Sequence, residues 1–367
     1  MSQDRLLFPH KLSRRELLNA SAWTAGALVL GGSLFAERRY LKAADAAKKP
    51  VKIGSGRWTY TLDETWGALP SGMSYGFGCA VVVDSQDKVY VTSRSTSPCV
   101  AVFDKDGKLL ETWSKDFADN VRYSPDQVKA TAHGLYWSRE PEGEFFYFTE
   151  NVDKQMGDGA RVYKTDLAGK VLYELGKGVK ASGNSQPFDF VNPTDVAVAP
   201  NGDIYIVDGY GSQLVHRFDK NFKLMKTIGG RGKEHGQFNV CHGVWVSSLG
   251  EEPEVYIADR ANNRLEVYSL GLEYKRTVPE MKLPCCFYQH DGHLYIPELG
   301  ARVSIIDATD QVVARLGDGA GIDKAKIGEH PDRFATPHAL TLDSRGDLYV
   351  VEWLPNGRPR KFKHTPA

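Results

Sequence analysis

Three of the ten histidines in this 367-residue chain have similar surroundings. His133, His242 and His338 each precede a glycine or alanine, and each stands at the start of an apolar run. Neutral imidazole is a preferred zinc ligand, and a set of three leaves a fourth coordination position open, as in catalytic sites. The pattern predicts a metal site if the fold brings the three residues together. The alternative is that each is a buried histidine that hydrogen-bonds a backbone carbonyl.

A second group of polar residues follows strands that end in a small or acidic residue. Arg94 and Arg260 come directly after such strands, and Tyr210 comes one residue later than the equivalent position. Two arginines could hold a carboxylate through paired charge-assisted bonds. A tyrosine near two cations and a metal would have a lowered pKa, which suits a general base. The alternative interpretation is surface ion pairs for the arginines and a turn position for Tyr210.

These residues lie within a repeated unit that consists of an apolar strand, a polar turn, a second strand and a third strand. The clearest copy spans residues 193–209, where Asn201-Gly202 separates two alternating apolar runs. An Asn-Gly pair is a strong hairpin signal, and we expect a type I′ turn there because both central positions accept positive φ.

Six copies of this unit follow one another at intervals of about 40 to 60 residues, a spacing typical of propeller blades. They span residues 80–94, 133–151, 193–209, 242–260, 285–299 and 338–353. Further outer strands are expected at residues 100–104, 161–166, 214–219 and 265–268. The sequence therefore predicts an all-β, six-bladed β-propeller over residues 51–367, without helices. Residues 51–64 would close the ring by pairing with the sixth blade. A parallel β-helix, the competing fold, has much shorter repeats.

Alignment of the copies gives the three histidines a common position. The residue that closes each second strand serves as the anchor; in blade order these are Ser93, Glu150, Asp208, Asp259, Glu298 and Glu352. The matching positions at the start of the first strands are Cys79, His133, Thr194, His242, Cys285 or Pro284, and His338. First strands line the central channel of a propeller. Alternate blades therefore carry the histidines towards one point on the axis. The other histidines fall on turns, outer strands or the tails.

The N-terminal residues 1–46 are predicted to be a twin-arginine signal peptide. Arg14-Arg15 is followed by a short apolar stretch at residues 20–35 and by small residues at 44–46. The apolar stretch is shorter than the about 20 residues that a membrane span needs. We expect a periplasmic or secreted protein, with an uncleaved anchor or an amphipathic N-terminal helix as alternatives. We expect no membrane span in the mature chain.

The balance of charged residues narrows the possible binding partners. Lys+Arg and Asp+Glu both total 46, which argues against binding to nucleic acid. We expect a monomer that acts on a small or peptide-derived substrate carrying a carboxylate.

The five cysteines are an odd number; a Cys79–Cys99 bridge is possible, but buried free thiols are favoured.

The copies resemble NHL repeats, and most of the mature chain, most densely from about residue 185 to 270, resembles peptidyl-α-hydroxyglycine α-amidating lyase. The motifs that carry this resemblance are Pro193-Thr194-Asp195-Val196-Ala197-Val198, Tyr205-x-x-Asp208-Gly209-Tyr210, Gly236-Gln237-Phe238-x-x-x-His242 and Ala258-Asp259-Arg260-x-Asn262-x-Arg264. That family is a six-bladed propeller whose lyase splits a carbinolamide into an amide and glyoxylate. The resemblance implies zinc on His133, His242 and His338, Tyr210 as the base, and Arg94 and Arg260 beside the substrate.

Two positions depart from the family pattern. Thr336 stands where a methionine is expected, and Ala339 replaces an aspartate that would help to bind a structural calcium ion. A calcium ion besides the zinc ion therefore stays open but is not favoured, and the substrate need not be a peptide. Two other functions stay open: a metal-dependent hydrolase such as a lactonase, and a non-enzymatic NHL binding module. The first depends on Glu, Asn and Asp ligands, which the axial positions do not carry.

Overall fold

Six sheets arranged as propeller blades make up the protein in the computed structural model, which describes residues 49–95, 97–121, 132–150, 160–357 and 359–366. The predicted export segment, residues 1–46, lies outside the described residues, as does Asn151 at the end of the second predicted copy. The six-bladed, all-β prediction is confirmed.

Each blade is a meander of strands that runs outward from the central axis. The N-terminal strands are β1 (Lys52–Ile53) and β2 (Tyr60–Asp63). Blade one contains β3 (Gly78–Val83), β4 (Val89–Ser93), β5 (Val100–Phe103) and β6 (Leu109–Trp113). Blade two contains β7 (Ala132–Glu140), β8 (Gly143–Glu150), β9 (Arg161–Thr165), β10 (Val171–Gly176) and β11 (Ser185–Pro187). Blade three contains β12 (Asp195–Val198), β13 (Ile204–Val207), β14 (Leu214–Phe218) and β15 (Leu224–Gly229).

The second half of the ring repeats this pattern. Blade four contains β16 (Cys241–Ser247), β17 (Glu254–Asp259), β18 (Arg264–Ser269) and β19 (Tyr274–Val278). Blade five contains β20 (Tyr288–His290), β21 (His293–Glu298), β22 (Arg302–Ile306) and β23 (Val312–Leu316). Blade six contains β24 (Pro337–Leu342), β25 (Leu348–Glu352) and β26 (Arg360–His364), together with β2 and β1.

The ring closes by pairing the two ends of the described chain. β2 runs antiparallel to β26, with Tyr60 opposite His364 and Asp63 opposite Lys361. This pairing confirms the predicted role of residues 51–64. Neighbouring blades also pack through aromatic side chains; for example, the Tyr90 and Phe146 ring centroids lie 4.6 Å apart between blades one and two.

Two local predictions differ from the structure. Asn201-Gly202 does form a hairpin, but the turn has one left-handed residue, Gly202 at φ +87°, rather than the two of a type I′ turn. The Ala199 N–H donates to the Asp203 carbonyl, so the loop has one residue more than the two-residue loop of a type I′ hairpin. The chain also contains a short helix, α1 (Lys115–Asn120), and 3₁₀ turns at Gly56–Trp58, Arg260–Asn262 and Lys324–Glu329. None of the helices in the described ranges is long and apolar enough to cross a membrane.

The acidic residues that end the second strands are buried, and on blades four and six the carboxylate holds the segment that enters the blade. The Glu352 carboxylate accepts from the Ala335 N–H at 2.6 Å and from the Thr336 N–H at 3.1 Å, just before β24. The Asp259 carboxylate accepts from the Asn239 N–H at 2.8 Å, just before β16. These bonds fix where the first strands start, and so they fix the residues at the channel mouth.

All five cysteines carry free thiols, and four of them are buried. The possible Cys79–Cys99 bridge is absent, and the preference for buried free thiols is confirmed.

Candidate metal centre

The three aligned histidines meet on the axis. His133, His242 and His338 are the second residues of β7, β16 and β24, and they belong to blades two, four and six. In each case the pairing with the second strand is interrupted at the histidine. A bulge of this kind redirects a side chain. One ring nitrogen of each residue lies within 4.8 Å of the other two, and all three residues are buried.

The other ring nitrogen of each histidine is held by the next blade. His133 Nδ1 lies 2.7 Å from the Thr194 carbonyl oxygen, His242 Nδ1 lies 2.8 Å from that of Cys285, and His338 Nδ1 lies 2.7 Å from that of Cys79. A carbonyl oxygen only accepts, so Nδ1 must carry the proton and Nε2 must carry the lone pair. This is the outer-shell bond typical of metal-ligating histidine.

The acceptor carbonyls occupy the positions between the histidines in the axial ring. In blade order that ring reads Cys79, His133, Thr194, His242, Cys285 and His338. Pro284 bridges to Glu298, so Cys285 rather than Pro284 is the fifth member. Each ring therefore bonds a backbone carbonyl through one nitrogen, as the alternative interpretation expected, and turns the other nitrogen to the axis, where a metal site would need it.

In blade four, the backbone at Gly243 lies very close to the carbonyl that accepts the hydrogen bond from His242. A Cβ on Gly243 would lie 2.1 Å from the Cys285 oxygen, which is the acceptor of His242 Nδ1. Only glycine lets that carbonyl come so near. In blade six the matching position is Ala339.

The three Nε2 atoms are buried and have no hydrogen-bond partner in the described part of the chain. Burial is the main cause that lowers the pKa of each ring, and it lowers that of His338 to about 3. Like charges add to this effect: Arg94 for His133, and Arg260 for His242. Unpartnered buried polar atoms are costly, and neutral imidazoles with converging lone pairs fit a metal ion. The donor set could bind one metal ion on the axis.

Tyr210 and Arg260 lie together beside this centre. The Tyr210 ring packs edge-on against His133 and His242, at centroid distances of 5.3 Å and 5.5 Å. An Arg260 N–H donates to the Tyr210 hydroxyl at 3.0 Å, and the guanidinium lies 5.0 Å from the ring centre. The expected lowering of the Tyr210 pKa assumed a metal ion beside the ring, and in the chain without a metal the direction is the opposite. Burial raises that pKa, although the charges of Arg260 and Arg94 oppose the rise.

Arg94 lies next to an aromatic side chain that the sequence interpretation missed. Its guanidinium carbon is 4.7 Å from the centre of the Trp353 ring, and Trp353 in turn packs on His338 at 5.1 Å. Arg94 also lies beside Cys79, where burial raises the thiol pKa to about 11 and the guanidinium opposes the shift. Trp353 directly follows an acidic anchor, as Arg260 does, so the same alignment could have found it.

The channel below the histidines is a cavity of about 250 Å³ lined by the first strands. Asp195 lies in its wall, where its carboxylate accepts from the Val244 N–H at 3.1 Å and joins blades three and four. Burial raises the pKa of Asp195 to about 7. Arg94, Tyr210, Arg260 and Trp353 do not line this cavity, and all four are partly exposed.

Comparisons with known proteins agree with this architecture. The family model of the NHL repeat matches residues 190–218, which contain the first three strands of blade three. Human NHL repeat-containing protein 3 is 26% identical over 80% of this chain and 81% of its own length. A probable peptidyl-α-hydroxyglycine α-amidating lyase of Caenorhabditis elegans is 29% identical over 49% of this chain. Lyase 2 of that name in Drosophila melanogaster is 26% identical over 68% of this chain. The matches cover 46% and 55% of these two lyases.

Solved structures give the same fold. A streptogramin B lyase structure superposes with a TM-score of 0.53 at 13% identity, covering 87% of this chain and 100% of the other. Virginiamycin B lyase from Staphylococcus aureus gives a TM-score of 0.54 at 13% identity, covering 83% and 99%. At this identity the likeness concerns the fold alone. The chain is a six-bladed β-propeller that matches the NHL repeat over residues 190–218 and is similar in sequence to the peptidyl-α-hydroxyglycine α-amidating lyases.

Proposed function

We propose that the protein is a zinc-dependent lyase of the α-amidating type that cleaves an α-hydroxy-amide, or a related hydroxy acid, at the mouth of the central channel. The observation that carries the proposal is the convergence of three unpartnered Nε2 atoms beside Tyr210 and Arg260. Three neutral nitrogen ligands with an open fourth position suit a catalytic zinc ion. The similarity to the amidating lyases supports the choice of reaction.

In this proposal His133, His242 and His338 hold the ion through Nε2, while the carbonyls on the next blades orient their rings. When bound, the zinc ion supplies Lewis acidity towards an oxygen of the substrate. The calcium site of the family is not part of the proposal, because alanine occupies position 339.

Tyr210 is the proposed base, with Arg94 and Arg260 as the carboxylate-binding residues. The Tyr210 phenolate takes the proton of the substrate hydroxyl. The carbon–oxygen double bond of glyoxylate forms as the carbon–nitrogen bond breaks, and the leaving amide nitrogen keeps the electron pair and takes a proton. Burial disfavours the phenolate, so the Arg260 hydrogen bond and charge are required to make Tyr210 a usable base.

Incubation of the purified protein with N-benzoyl-α-hydroxyglycine tests the reaction. We expect benzamide and glyoxylate in equal amounts, loss of turnover after chelation and recovery with zinc. Absence of zinc-dependent turnover would contradict the proposal, and hydrolysis of lactones in its place would favour the hydrolase.

A non-enzymatic binding propeller is the second candidate. It is favoured by the match to NHL repeat-containing protein 3, which covers 80% of this chain and 81% of that protein. It predicts that Tyr210→Phe leaves every measurable function unchanged.

We also propose that residues 1–46 direct twin-arginine export to the periplasm or beyond. Replacement of Arg14 and Arg15 by lysines, followed by cell fractionation, tests this. Retention of the variant in the cytoplasm is expected, and unchanged export would contradict the proposal.

A further inference from the structure

The central cavity contains one carboxylate, and the proposed reaction gives it no task. Of the described residues that line the cavity, Asp195 is the acidic one. It is the first residue of β12 and directly follows Thr194, a member of the axial ring. The residues that follow the other members of the ring are all small: Ala80, Gly134, Gly243, Cys286 and Ala339. Small side chains at these positions leave space on the axis beside the Asp195 carboxylate.

The Asp195 carboxylate reaches both of the blades next to its own. Oδ2 accepts from the Val244 N–H on blade four at 3.1 Å. Oδ1 lies 3.2 Å from the position that a Cβ on Gly134, on blade two, would take. Burial raises the pKa of Asp195, and the groups that oppose the rise are uncharged backbone N–H donors. A cation placed beside this carboxylate would offset the cost of burying its charge.

Aromatic side chains form the walls of the cavity next to this carboxylate. Tyr136, Trp245 and Tyr288 line it from blades two, four and five. The centre of the Trp245 ring lies 5.6 Å from that of Tyr136 and 5.8 Å from that of Tyr288. Burial raises the pKa of the Tyr136 hydroxyl to about 12, and the Asp195 charge adds to the rise, so the two groups are close in space. Aromatic faces attract organic cations.

The positive charges of the protein lie elsewhere along the axis. Arg94 and Arg260 do not line the cavity. Arg139 does line it, but this residue is exposed and stands five residues after Gly134 on β7, about 17 Å along an extended strand. A calcium ion takes about six to eight oxygen ligands. One carboxylate among aromatic walls therefore fits an organic cation better than a metal ion.

We propose that the central cavity is a second ligand-binding site, for a small organic ammonium ion that pairs with Asp195 and packs against Tyr136, Trp245 and Tyr288. The cavity volume of about 250 Å³ is sufficient, because an apolar cavity of about 150 Å³ holds benzene. An aromatic amine of the size of benzylamine therefore fits. The site does not depend on the proposed reaction.

Calorimetric titration of the full, zinc-loaded chain at pH 8 with benzylamine and with benzyl alcohol tests this inference. Benzylamine is protonated at this pH, and benzyl alcohol has the same ring without the charge. Asp195→Asn should weaken benzylammonium binding about 10- to 100-fold, the range of a charge-assisted hydrogen bond. Its affinity for benzyl alcohol should stay that of the wild type. The asparagine keeps an oxygen that can accept from the Val244 N–H.

Asp291 provides a matched control outside the cavity. It lies in the turn between β20 and β21, and its side chain is 78% exposed. Its φ of 43° is one that asparagine also adopts. Asp291→Asn changes the net charge as Asp195→Asn does, and it should leave both affinities unchanged. Trp245→Leu removes one aromatic wall and should weaken benzylammonium about three- to tenfold, and more than benzyl alcohol.

Failure of the wild-type chain to bind benzylammonium, or equal binding by the wild type and Asp195→Asn, would overturn the inference. Loss of binding when zinc is removed by a chelator would overturn it too, because the amine nitrogen would then be a metal ligand. If Asp195→Asn does not fold, as judged by circular dichroism, Asp195→Ser takes its place. None of these measurements uses turnover. Binding that depends on Asp195 in a chain without lyase activity would support this inference and contradict the proposed function.

Discussion

Acid should destabilise the metal-free protein through His338, and replacement of that residue should remove this part of the pH dependence. The His338 side chain is 4% exposed, and burial lowers its pKa to about 3. In the unfolded chain its pKa is about 6.5. The unfolded state therefore binds a proton as the pH falls below 6.5, while the folded state does not. The contribution of His338 to stability is complete above that pH and is lost progressively down to about pH 3.

The size of this effect follows from the two pKa values. At pH 5 the unfolded histidine is almost fully protonated and the folded one is neutral, which costs about 2 kcal/mol of unfolding free energy relative to pH 7.5. The pKa values of His133 and His242 are lowered as well. The stability of the metal-free protein therefore falls more steeply with pH than His338 alone would cause.

Urea unfolding of chelator-treated protein at pH 7.5 and pH 5.0 measures the loss. The wild-type chain should lose about 2 kcal/mol more than His338→Gln between these pH values. His330→Gln, at an exposed position, is the control and should behave as the wild type. Equal pH dependence in the wild type and His338→Gln would refute the reasoning, because it would mean that the folded state accepts the proton and that Nε2 is not held as a free lone pair.

Two further predictions concern the reaction and the metal. Tyr210→Phe removes the hydroxyl that bonds Arg260, so turnover should fall by about 10² to 10⁴, the range of a lost general base, with metal content unchanged; turnover within tenfold of the wild type would exclude Tyr210 as the base. Gly243→Ala would displace the Cys285 carbonyl that orients His242, so metal affinity should fall about 10- to 100-fold in a chelator competition assay. Ala339→Gly is the matched control on blade six and should keep wild-type affinity, and equal affinity in both variants would contradict the proposed role of the carbonyl.

The sequence predicted the blades and the register of the histidines for one reason. A propeller repeats its hairpin, so a position counted back from Asp259 or Glu352 has the same place in every blade. The convergence of His133, His242 and His338 on the axis could therefore be predicted from the register alone, without their contacts.

The remaining features depend on contacts between blades, which a repeat alignment does not contain. The carbonyl acceptors lie on the neighbouring blade, so no local motif marks Thr194 or Cys285 as partners of a histidine. The sign of the Tyr210 pKa shift depends on how deeply the ring is buried, and burial outweighs two nearby cations. Trp353 follows the anchor Glu352 as Arg260 follows Asp259, but its contact with Arg94 is made through the face of the indole ring, which a repeat alignment does not show.

We propose that His133, His242 and His338 bind one catalytic metal ion through Nε2. Anomalous diffraction at the zinc edge, from crystals of protein purified without chelators, tests it most directly. We expect one peak on the axis within bonding distance of all three Nε2 atoms, about 2.0 to 2.1 Å, and its loss in His242→Ala. No peak at this position, or a peak that persists in His242→Ala, would contradict the account.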